Sequence, residues 1–397
     1  MHDGWKRVAL GDVLKLRAER THQVPTLLSV TADRGVILQS ESGRRDSSSA
    51  DKALYWDVQA GDVVYNTMRM WQGVSGVANE GGIVSPAYTV CQPTESADGG
   101  FIRHLLREPR LVAKFLNRSQ GLVSDTWNLR YSDFKKVEVN LPPISEQQRI
   151  AEILDDIGAQ IEQATARCGK LEIVAAAETT ALMRAVSEDS GVEWSTLEKV
   201  AVISAGVTLG NDEAGDGSVT LPYLRVANVQ DGYIDTSDVK TVSVRRADIE
   251  RYRLEAGDVL LTEGGDLDKL GRGGVWDGRI APCLHQNHVF KVRCDPEVYQ
   301  PHFLAAYLAS PRGKGYFLSV AKQTTNLASI NSTQVKKAPV PLVTLLDQDR
   351  VATSIAQWRD QLVTAERGVV KLTTLKEAIM DDLLTGAVRA QTESAFT

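Results

Sequence analysis

Motifs that would identify a catalytic site are absent from this sequence of 397 residues. It contains no GxxxxGK[ST] phosphate loop, no HExxH metal motif and no GxSxG nucleophile elbow. NLPPIS, residues 140–145, superficially resembles the Asn-Pro-Pro-aromatic tetrad of amino-methyltransferases. However, Leu141 separates Asn140 from the two prolines, and Ile144 stands where the aromatic residue is required. We therefore predict that the chain is not an enzyme.

One cluster contains the residue types that bind metals. Cys283, His285 and His288 lie in CLHQNH, and Cys294 follows downstream. A closed tetrahedral zinc site usually shows two short-spaced pairs of ligands, and this spacing fits no such pattern. We therefore favour structural or DNA-facing histidines over a metal site.

Basic and amide side chains on predicted turns are the remaining candidates for function. Arg, Asn and Gln can make two parallel hydrogen bonds to guanine or adenine edges, whereas Lys and backbone amides bind phosphates. Any single residue of this kind is more often a solvated surface residue, so the prediction concerns the set. The predicted DNA-binding residues are Arg44, Asn66, Arg69, Asn128, Arg130, Arg225, Asn228, Lys269, Arg272 and Asn326.

The composition is that of a globular protein with substantial cores, because 43% of the residues are hydrophobic. The formal net charge of -6 argues mildly against a chain that coats nucleic acid by charge alone. The first twenty residues carry charges throughout, and no later run approaches the roughly 20 apolar residues that span a bilayer. We expect a cytoplasmic protein whose four separated cysteines are reduced.

An internal repeat organises the chain. Lys135-Lys136 recurs as Lys336-Lys337 at an offset of 201, and at the same offset Gln147 falls on Gln348. QAGDVVYNT, which begins at Gln59, also resembles EAGDVLLTE further along the chain, at an offset of 196. Each copy begins with short predicted strands and turns, continues with a short helix that contains a proline, and ends in a long helix. The chain is predicted to be two copies of one plan.

The two long helices are predicted from apolar residues spaced alternately by four and three positions, which is a heptad pattern. Two identical heptad frames in one chain favour mutual pairing over two ordinary amphipathic helices. About 40 residues in each would make a rod of roughly 60 Å. Ser145 and Gln148 are predicted to form a capping box at the start of the first helix, and Gly386 to end the second. The predicted pairing residues are Ile150, Leu154, Ile157, Ile161, Val351, Ile355, Trp358 and Leu362.

Several of these stretches together resemble the specificity subunit of type I restriction-modification systems. They are LPPISEQQRIAEILDDI, the repeated GDV strand, the ending DDLLTGAVRA and the opening of the second copy, WSTLEKVAVISAGVTLGNDEAGDGSVTLPYLRVANVQDGYID. The resemblance spans essentially the whole chain. The first copy carries LLSVTADRGVILQS in place of that opening, which affects the bases it would read rather than the family.

The resemblance implies an α+β fold in which two mixed α/β target recognition domains are separated by two long antiparallel coiled-coil helices, with an internal pseudo-twofold repeat. The implied domains are a target recognition domain at 1–144, a spacer helix at 145–187, a second recognition domain at 188–343, a second spacer helix at 344–388 and a tail at 389–397. Each recognition domain would read one half of a bipartite, asymmetric site in double-stranded DNA.

The resemblance also implies partners. The helices would dock two methyltransferase subunits, and restriction or translocase subunits would complete the complex, with no membrane involved. No cofactor is expected in this chain, whereas S-adenosylmethionine, ATP and Mg are expected in the partner subunits. The alternatives are a methyltransferase that acts alone and a coiled-coil DNA-binding scaffold without base-specific readout.

Overall fold

The computed structural model describes residues 4–20, 26–43, 51–121, 127–187, 191–208, 217–265, 270–323 and 327–390. The chain divides into two compact units. Unit 1 comprises Met1–Ala166 and Glu366–Thr397, and unit 2 comprises Arg167–Ala365. Each unit therefore contains a globular part and half of each of two long helices. No helix in the described ranges has the length and apolar character needed to span a bilayer.

The globular part of unit 1 is built on a four-stranded antiparallel sheet in the order β2-β9-β6-β7. Three two-stranded pairs, β1-β10, β3-β4 and β5-β8, complete its described sheet structure. The strands are β1 (Lys6–Ala9), β2 (Leu14–Leu16), β3 (Leu28–Thr31), β4 (Gly35–Leu38), β5 (Trp56–Val58), β6 (Val63–Asn66), β7 (Ser75–Val77), β8 (Gly82–Val84), β9 (Tyr88–Pro93) and β10 (Glu138–Leu141).

Short helices cover this sheet. They are α1 (Leu10–Val13), α2 (Gly99–Leu105), α3 (Pro109–Arg118) and α4 (Tyr131–Phe134). The predicted proline break falls between α2 and α3, where Pro109 occupies the first turn of α3 and loses no helical hydrogen bond there. The core is aromatic, since the Phe134 ring stacks on Tyr65 at 4.7 Å and on Phe115 at 5.7 Å. The long helix α5 (Ile144–Ser187) follows β10.

Unit 2 repeats this plan. Its four-stranded sheet has the order β12-β19-β15-β17, and its first and last strands pair as β11-β22. The strands are β11 (Glu193–Thr196), β12 (Ala201–Ala205), β13 (Ser218–Leu224), β14 (Lys240–Arg245), β15 (Val259–Thr262), β16 (Gly264–Gly265), β17 (Gly273–Val275), β18 (Leu284–His285), β19 (Val289–Cys294), β20 (Lys322–Gln323), β21 (Ala328–Ser329) and β22 (Pro339–Leu342). The helices are α6 (Ile249–Tyr252), α7 (Pro301–Ala309), α8 (Pro311–Val320), α9 (Ser332–Lys336) and the long α10 (Leu345–Thr385).

The repeated AGDV segment forms the same turn in both units. Asp62 and Asp258 are 2% and 1% exposed, and each accepts a hydrogen bond from the backbone three residues earlier. Each carboxylate also binds an arginine, Arg17 at 2.6 Å in unit 1 and Arg293 at 2.7 Å in unit 2. The pKa of both arginines is raised, mainly by these hydrogen bonds to the carboxylates. The repeat in the sequence therefore corresponds to a buried aspartate that pairs with an arginine in each unit.

A buried glutamine attaches each long helix to its globular part. In unit 1, Gln147 accepts a hydrogen bond from the Asp98 backbone N–H at 2.9 Å and donates to the carbonyls of Ser96 at 2.9 Å and Pro142 at 2.8 Å. In unit 2, Gln348 makes the equivalent bonds to Gln300 N–H at 2.7 Å, Val298 O at 3.0 Å and Val343 O at 2.9 Å. Both side chains are 0% exposed.

The predicted capping box of the first helix is wrong in detail. Helix α5 begins at Ile144, which places Ser145 inside its first turn, and Gln148 is exposed. Gln147, one residue earlier, joins the helix to the rest of the unit. In unit 2, Thr344 caps α10 by accepting from the Asp347 backbone N–H at 3.2 Å.

The predicted end of the second helix is confirmed. Helix α10 ends at Thr385, and Gly386 follows with a φ of 78°. This left-handed conformation is costly for residues with a side chain, so glycine suits the position.

We expect Gln147→Leu to lower the free energy of unfolding by about 3 kcal/mol or more, because each buried group left without its partner costs about 1–3 kcal/mol. Urea-induced unfolding of the purified chain measures this loss. The control is Gln148→Leu, since Gln148 is exposed on the same turn and its replacement should change stability by less than about 0.5 kcal/mol. Equal effects of the two substitutions would contradict a structural role for the Gln147 amide.

Candidate nucleic-acid interface

Two separate stretches of unit 1 meet at the end of β6. The Leu129 backbone N–H donates to the Thr67 carbonyl at 2.8 Å, which joins the turn after β6 to the segment before α4. The Thr67 side chain in turn donates to the Ala87 carbonyl at 2.8 Å. The structure thereby brings together four predicted DNA-binding residues, Asn66, Arg69, Asn128 and Arg130.

These four residues differ in exposure. Arg69 and Arg130 are exposed, whereas Asn66 and Asn128 are partly buried. The Asn66 side-chain oxygen accepts a hydrogen bond from the Met68 backbone N–H at 3.0 Å. The two arginines are therefore the better placed to meet a nucleic acid, and all four base-contact assignments remain predictions.

Two aromatic residues that sequence reasoning did not select support the same turn. The rings of Trp71 and Trp127 meet edge to face with centroids 5.1 Å apart. Trp71 also donates from its indole N–H to the Met68 carbonyl at 3.0 Å. In the sequence both tryptophans lie within two residues of a predicted DNA-binding residue, in NTMRMW and TWNLR. This closeness could have identified them as part of the same surface.

The equivalent turn of unit 2 has different chemistry. The Ile330 backbone N–H donates to the Glu263 carbonyl at 2.8 Å, which matches the Leu129 contact of unit 1. The Glu263 carboxylate faces the exposed side chain of His288. Arg272 is partly buried, and its backbone carbonyl accepts from the Thr262 N–H at 2.9 Å. The other predicted residues of this region, Lys269 and Asn326, lie outside the described residues, as does Arg44 of unit 1.

Asn228 has a structural role, which corrects its selection as a base-reading residue. Its side chain is 3% exposed, accepts from the Arg225 backbone N–H at 2.9 Å and donates to the carbonyls of Asp235 at 2.9 Å and Asp238 at 3.1 Å. Both amide hydrogens are thus used inside the loop. Arg225 is 28% exposed and pairs with the Asp238 carboxylate at 2.9 Å. A base contact by Arg225 would compete with that pair.

The cysteine and histidine cluster of unit 2 is divided between core and surface. His285 is 0% exposed and lies 2.8 Å from the Val289 carbonyl, and burial lowers its pKa to about 4. Burial raises the pKa of the Cys283 thiol to about 12. His288 is exposed. Within the described part of the chain, no group of three His, Cys, Asp or Glu side chains is arranged to hold a metal ion.

In unit 1 the long helices run antiparallel, because the start of α5 lies beside the end of α10. Glu146 binds Arg389, which follows α10, at 2.6 Å. The Lys376 amine of α10 lies 3.0 Å from the position that a Cβ atom on Gly158 of α5 would occupy. Ile150 and Leu154 are 0% exposed in a core that also includes Leu383 and Leu384 of α10.

In unit 2 the end of α5 lies against the start of α10, so the helices are again antiparallel. Met183 of α5 shares the core of this unit with Val351 and Ile355 of α10. The Trp358 indole N–H donates to the Glu178 carboxylate at 2.9 Å, so a polar residue in the heptad series has a specific partner.

The predicted pairing residues all lie on the shielded side of their helices. Ile150, Leu154 and Val351 are buried. The remaining predicted pairing residues, Ile157, Ile161, Ile355, Trp358 and Leu362, are partly buried.

Comparison with known proteins agrees with this architecture. A family model described as a type I restriction modification DNA specificity domain matches residues 101–171. The EcoKI specificity subunit of Escherichia coli (strain K12) is 23% identical over 326 residues, which are 76% of this chain and 68% of the relative. The putative MjaX specificity subunit of Methanocaldococcus jannaschii is 26% identical over 200 residues, and this match covers about half of each protein, 49% and 46%.

Solved structures share the fold over nearly the whole chain. The HsdS subunit from Thermoanaerobacter tengcongensis has a TM-score of 0.56 and 18% sequence identity, with 98% of both chains covered. A type I restriction-modification S subunit from M. genitalium has a TM-score of 0.54 and 14% identity, with 96% of both chains covered.

The predicted α+β fold class is confirmed, because these solved structures share the fold of the chain. The family resemblance is also confirmed. The chain is similar to specificity subunits of type I restriction-modification systems.

We expect Leu154→Asp to destabilise the chain by about 4 kcal/mol or more, because it removes a fully buried side chain and places an unpaired charge in the core. Chemical denaturation of the isolated chain and the yield of its complex with a methyltransferase partner would both report the change. Ile173→Asp is the matched control for the denaturation measurement alone, since Ile173 lies on the same helix but is 72% exposed. Normal stability and complex yield for Leu154→Asp would refute the heptad assignment.

Proposed function

We propose that the chain is the DNA sequence-recognition subunit of a type I restriction-modification complex, in which each unit reads one half of a bipartite site. The observation that carries this proposal is the repetition of one anchored scaffold with different surface turns. The buried hydrogen bonds of Gln147 and Gln348 are the same in the two units. Asn66-Thr67-Met68 of unit 1, by contrast, is replaced by Thr262-Glu263-Gly264 in unit 2.

The difference between these turns supports an asymmetric site. Arg69 of unit 1 is exposed and cationic, whereas Glu263 of unit 2 carries a negative charge beside His288. Two surfaces of such different charge favour different bases and phosphate contacts. A scaffold that bound only phosphates would not need two different surfaces, so base-specific recognition is preferred over that alternative.

The proposed partners are methyltransferase subunits, in two copies, and restriction or translocase subunits. Exposed apolar residues on the long helices suit such docking, because a helix that packs only within its own chain would bury them. They include Ile173 at 72% exposure on α5 and Val370 at 66% on α10. We propose that S-adenosylmethionine, ATP and Mg bind the partner subunits, and that this chain is a non-catalytic subunit acting in the cytoplasm.

A map of methylated adenines tests the function directly. DNA is taken from cells that express the presumed methyltransferase partner with or without this chain. We expect a bipartite motif only when both are present. A stable complex that adds no motif, combined with unselective DNA binding and a steep dependence on salt, would instead favour the scaffold.

Substitutions in the two units should separate the half-sites. Arg69→Ala is expected to relax base preference, or weaken binding, at the half-site read by unit 1 by about tenfold. This is about 1.4 kcal/mol, within the typical cost of about 1–3 kcal/mol for a lost base contact. Arg272→Ala should act only on the other half-site. Each variant is the control for the other, and methylation maps of both provide the measurement.

Equal loss at both half-sites, or no change in either variant, would contradict the assignment of one half-site to each unit. The same experiment with Asn66→Ala should affect the half-site read by unit 1 alone.

A further inference from the structure

An exposed methionine stands at the tip of the turn that follows β6. Met68 is 42% exposed, although Met70, two residues later, is 0% exposed. A large apolar side chain costs solvation free energy when it remains in water, and single exposed apolar residues are common. The residues around Met68 therefore indicate whether its exposed side chain has a function.

Side chains hold both peptide groups of Met68. The Asn66 side-chain oxygen accepts from the Met68 N–H at 3.0 Å, and the Trp71 indole N–H donates to the Met68 carbonyl at 3.0 Å. Trp71 is supported by the Trp127 ring at 5.1 Å. The Thr67 carbonyl accepts from Leu129 N–H at 2.8 Å. The backbone that carries the exposed side chain is thus held from several directions.

The charged neighbours identify the kind of partner. Arg69 adjoins Met68 in the chain, and Arg130 follows Leu129, which is bonded to the same turn. Both arginines are exposed. A surface that carries an exposed apolar side chain and two exposed arginines is poorly suited to an apolar protein surface, which would have to desolvate both charges. It suits double-stranded DNA, where arginines meet phosphates or guanine and an apolar side chain meets a thymine methyl group.

Unit 2 cannot present a side chain at the corresponding position. There Gly264 takes the place of Met68, and a side chain on it would begin 2.8 Å from the Ala328 carbonyl. Strand β16 pairs with β21 at this point. The apolar side chain at the tip of this turn is therefore a feature of unit 1.

We propose that Met68 contacts the C5-methyl group of a thymine in the half-site read by unit 1, and that Asn66 and Trp71 are positioning residues for it. The proposal rests on the proposed function and assigns part of its specificity. Asn66 is then expected to position the turn rather than to contact a base, because its side-chain oxygen accepts the Met68 N–H.

The test combines protein and DNA substitutions in the complex with the methyltransferase partner. Each thymine of the half-site is replaced in turn by deoxyuridine, which lacks only the methyl group, and binding is measured with wild type and Met68→Ala. We expect one position where deoxyuridine weakens wild-type binding by about fivefold, the effect of one buried methyl-sized group. Met68→Ala should cause a similar loss on normal DNA and be insensitive to deoxyuridine there. Met68→Leu should retain most of the methyl sensitivity.

Leu54→Ala is the matched protein control, because Leu54 is 61% exposed in the same unit but lies away from this turn in the chain. It should leave methyl sensitivity unchanged. Trp71→Phe, which keeps a ring but removes the N–H donor, and Asn66→Ala should reduce sensitivity at the same thymine, and neither should add to the effect of Met68→Ala. Thermal unfolding and preserved recognition of the other half-site verify that each variant is folded.

Two outcomes would overturn the proposal while leaving the proposed function intact. One is a bipartite motif in which no thymine shows coupling to Met68. The other is an Asn66→Ala variant that loses preference at a different base pair, which would return Asn66 to direct readout. Absence of any bipartite motif with wild type would instead reject the proposed function itself.

Discussion

The attachment of each long helix to its globular part depends on one buried amide. The side chains of Gln147 and Gln348 each bond to the residue that precedes the helix by a few positions and to the loop that follows a central strand. Because both amides are inaccessible to solvent, water cannot replace these bonds without opening the core. The direction in which a helix of 44 or 41 residues leaves its unit is therefore set at its first turn.

Much of the fold was predictable because the sequence contains an internal repeat. The lysine pairs Lys135-Lys136 and Lys336-Lys337 lie at the end of equivalent short helices, α4 and α9. The AGDV repeat indicates a turn around a buried aspartate. The cap of α5 was assigned to the wrong residues for a physical reason. A capping box is a local pattern, whereas the Gln147 amide bonds to Ser96 and Asp98, about fifty residues earlier, and no local rule contains such a contact.

The candidate DNA surface was predictable only in part. Asn66 and Arg69 could be selected because they lie at and just after the end of a predicted strand. Met68 and Met70 are indistinguishable by type, and only the folded turn shows that Met68 is exposed and Met70 is buried. Asn228 illustrates the converse difficulty. An asparagine that caps a loop and one that reads adenine have the same side chain, and the difference lies in backbone carbonyls up to ten residues away.

The buried aspartates of the AGDV turns differ in where their arginine originates. In unit 1, Arg17 follows the edge strand β2, whereas in unit 2, Arg293 lies on the neighbouring strand β19. Ser204 of β12 occupies the place that matches Arg17, and its hydroxyl is shielded without a hydrogen-bond partner in the described residues. A chimaera in which the β2 segment through Arg17 was replaced by the β12 segment would leave Asp62 with no cation, and breaking a buried pair in this way costs about 3–5 kcal/mol. The two copies have thus diverged so that equivalent strands can no longer be exchanged one at a time.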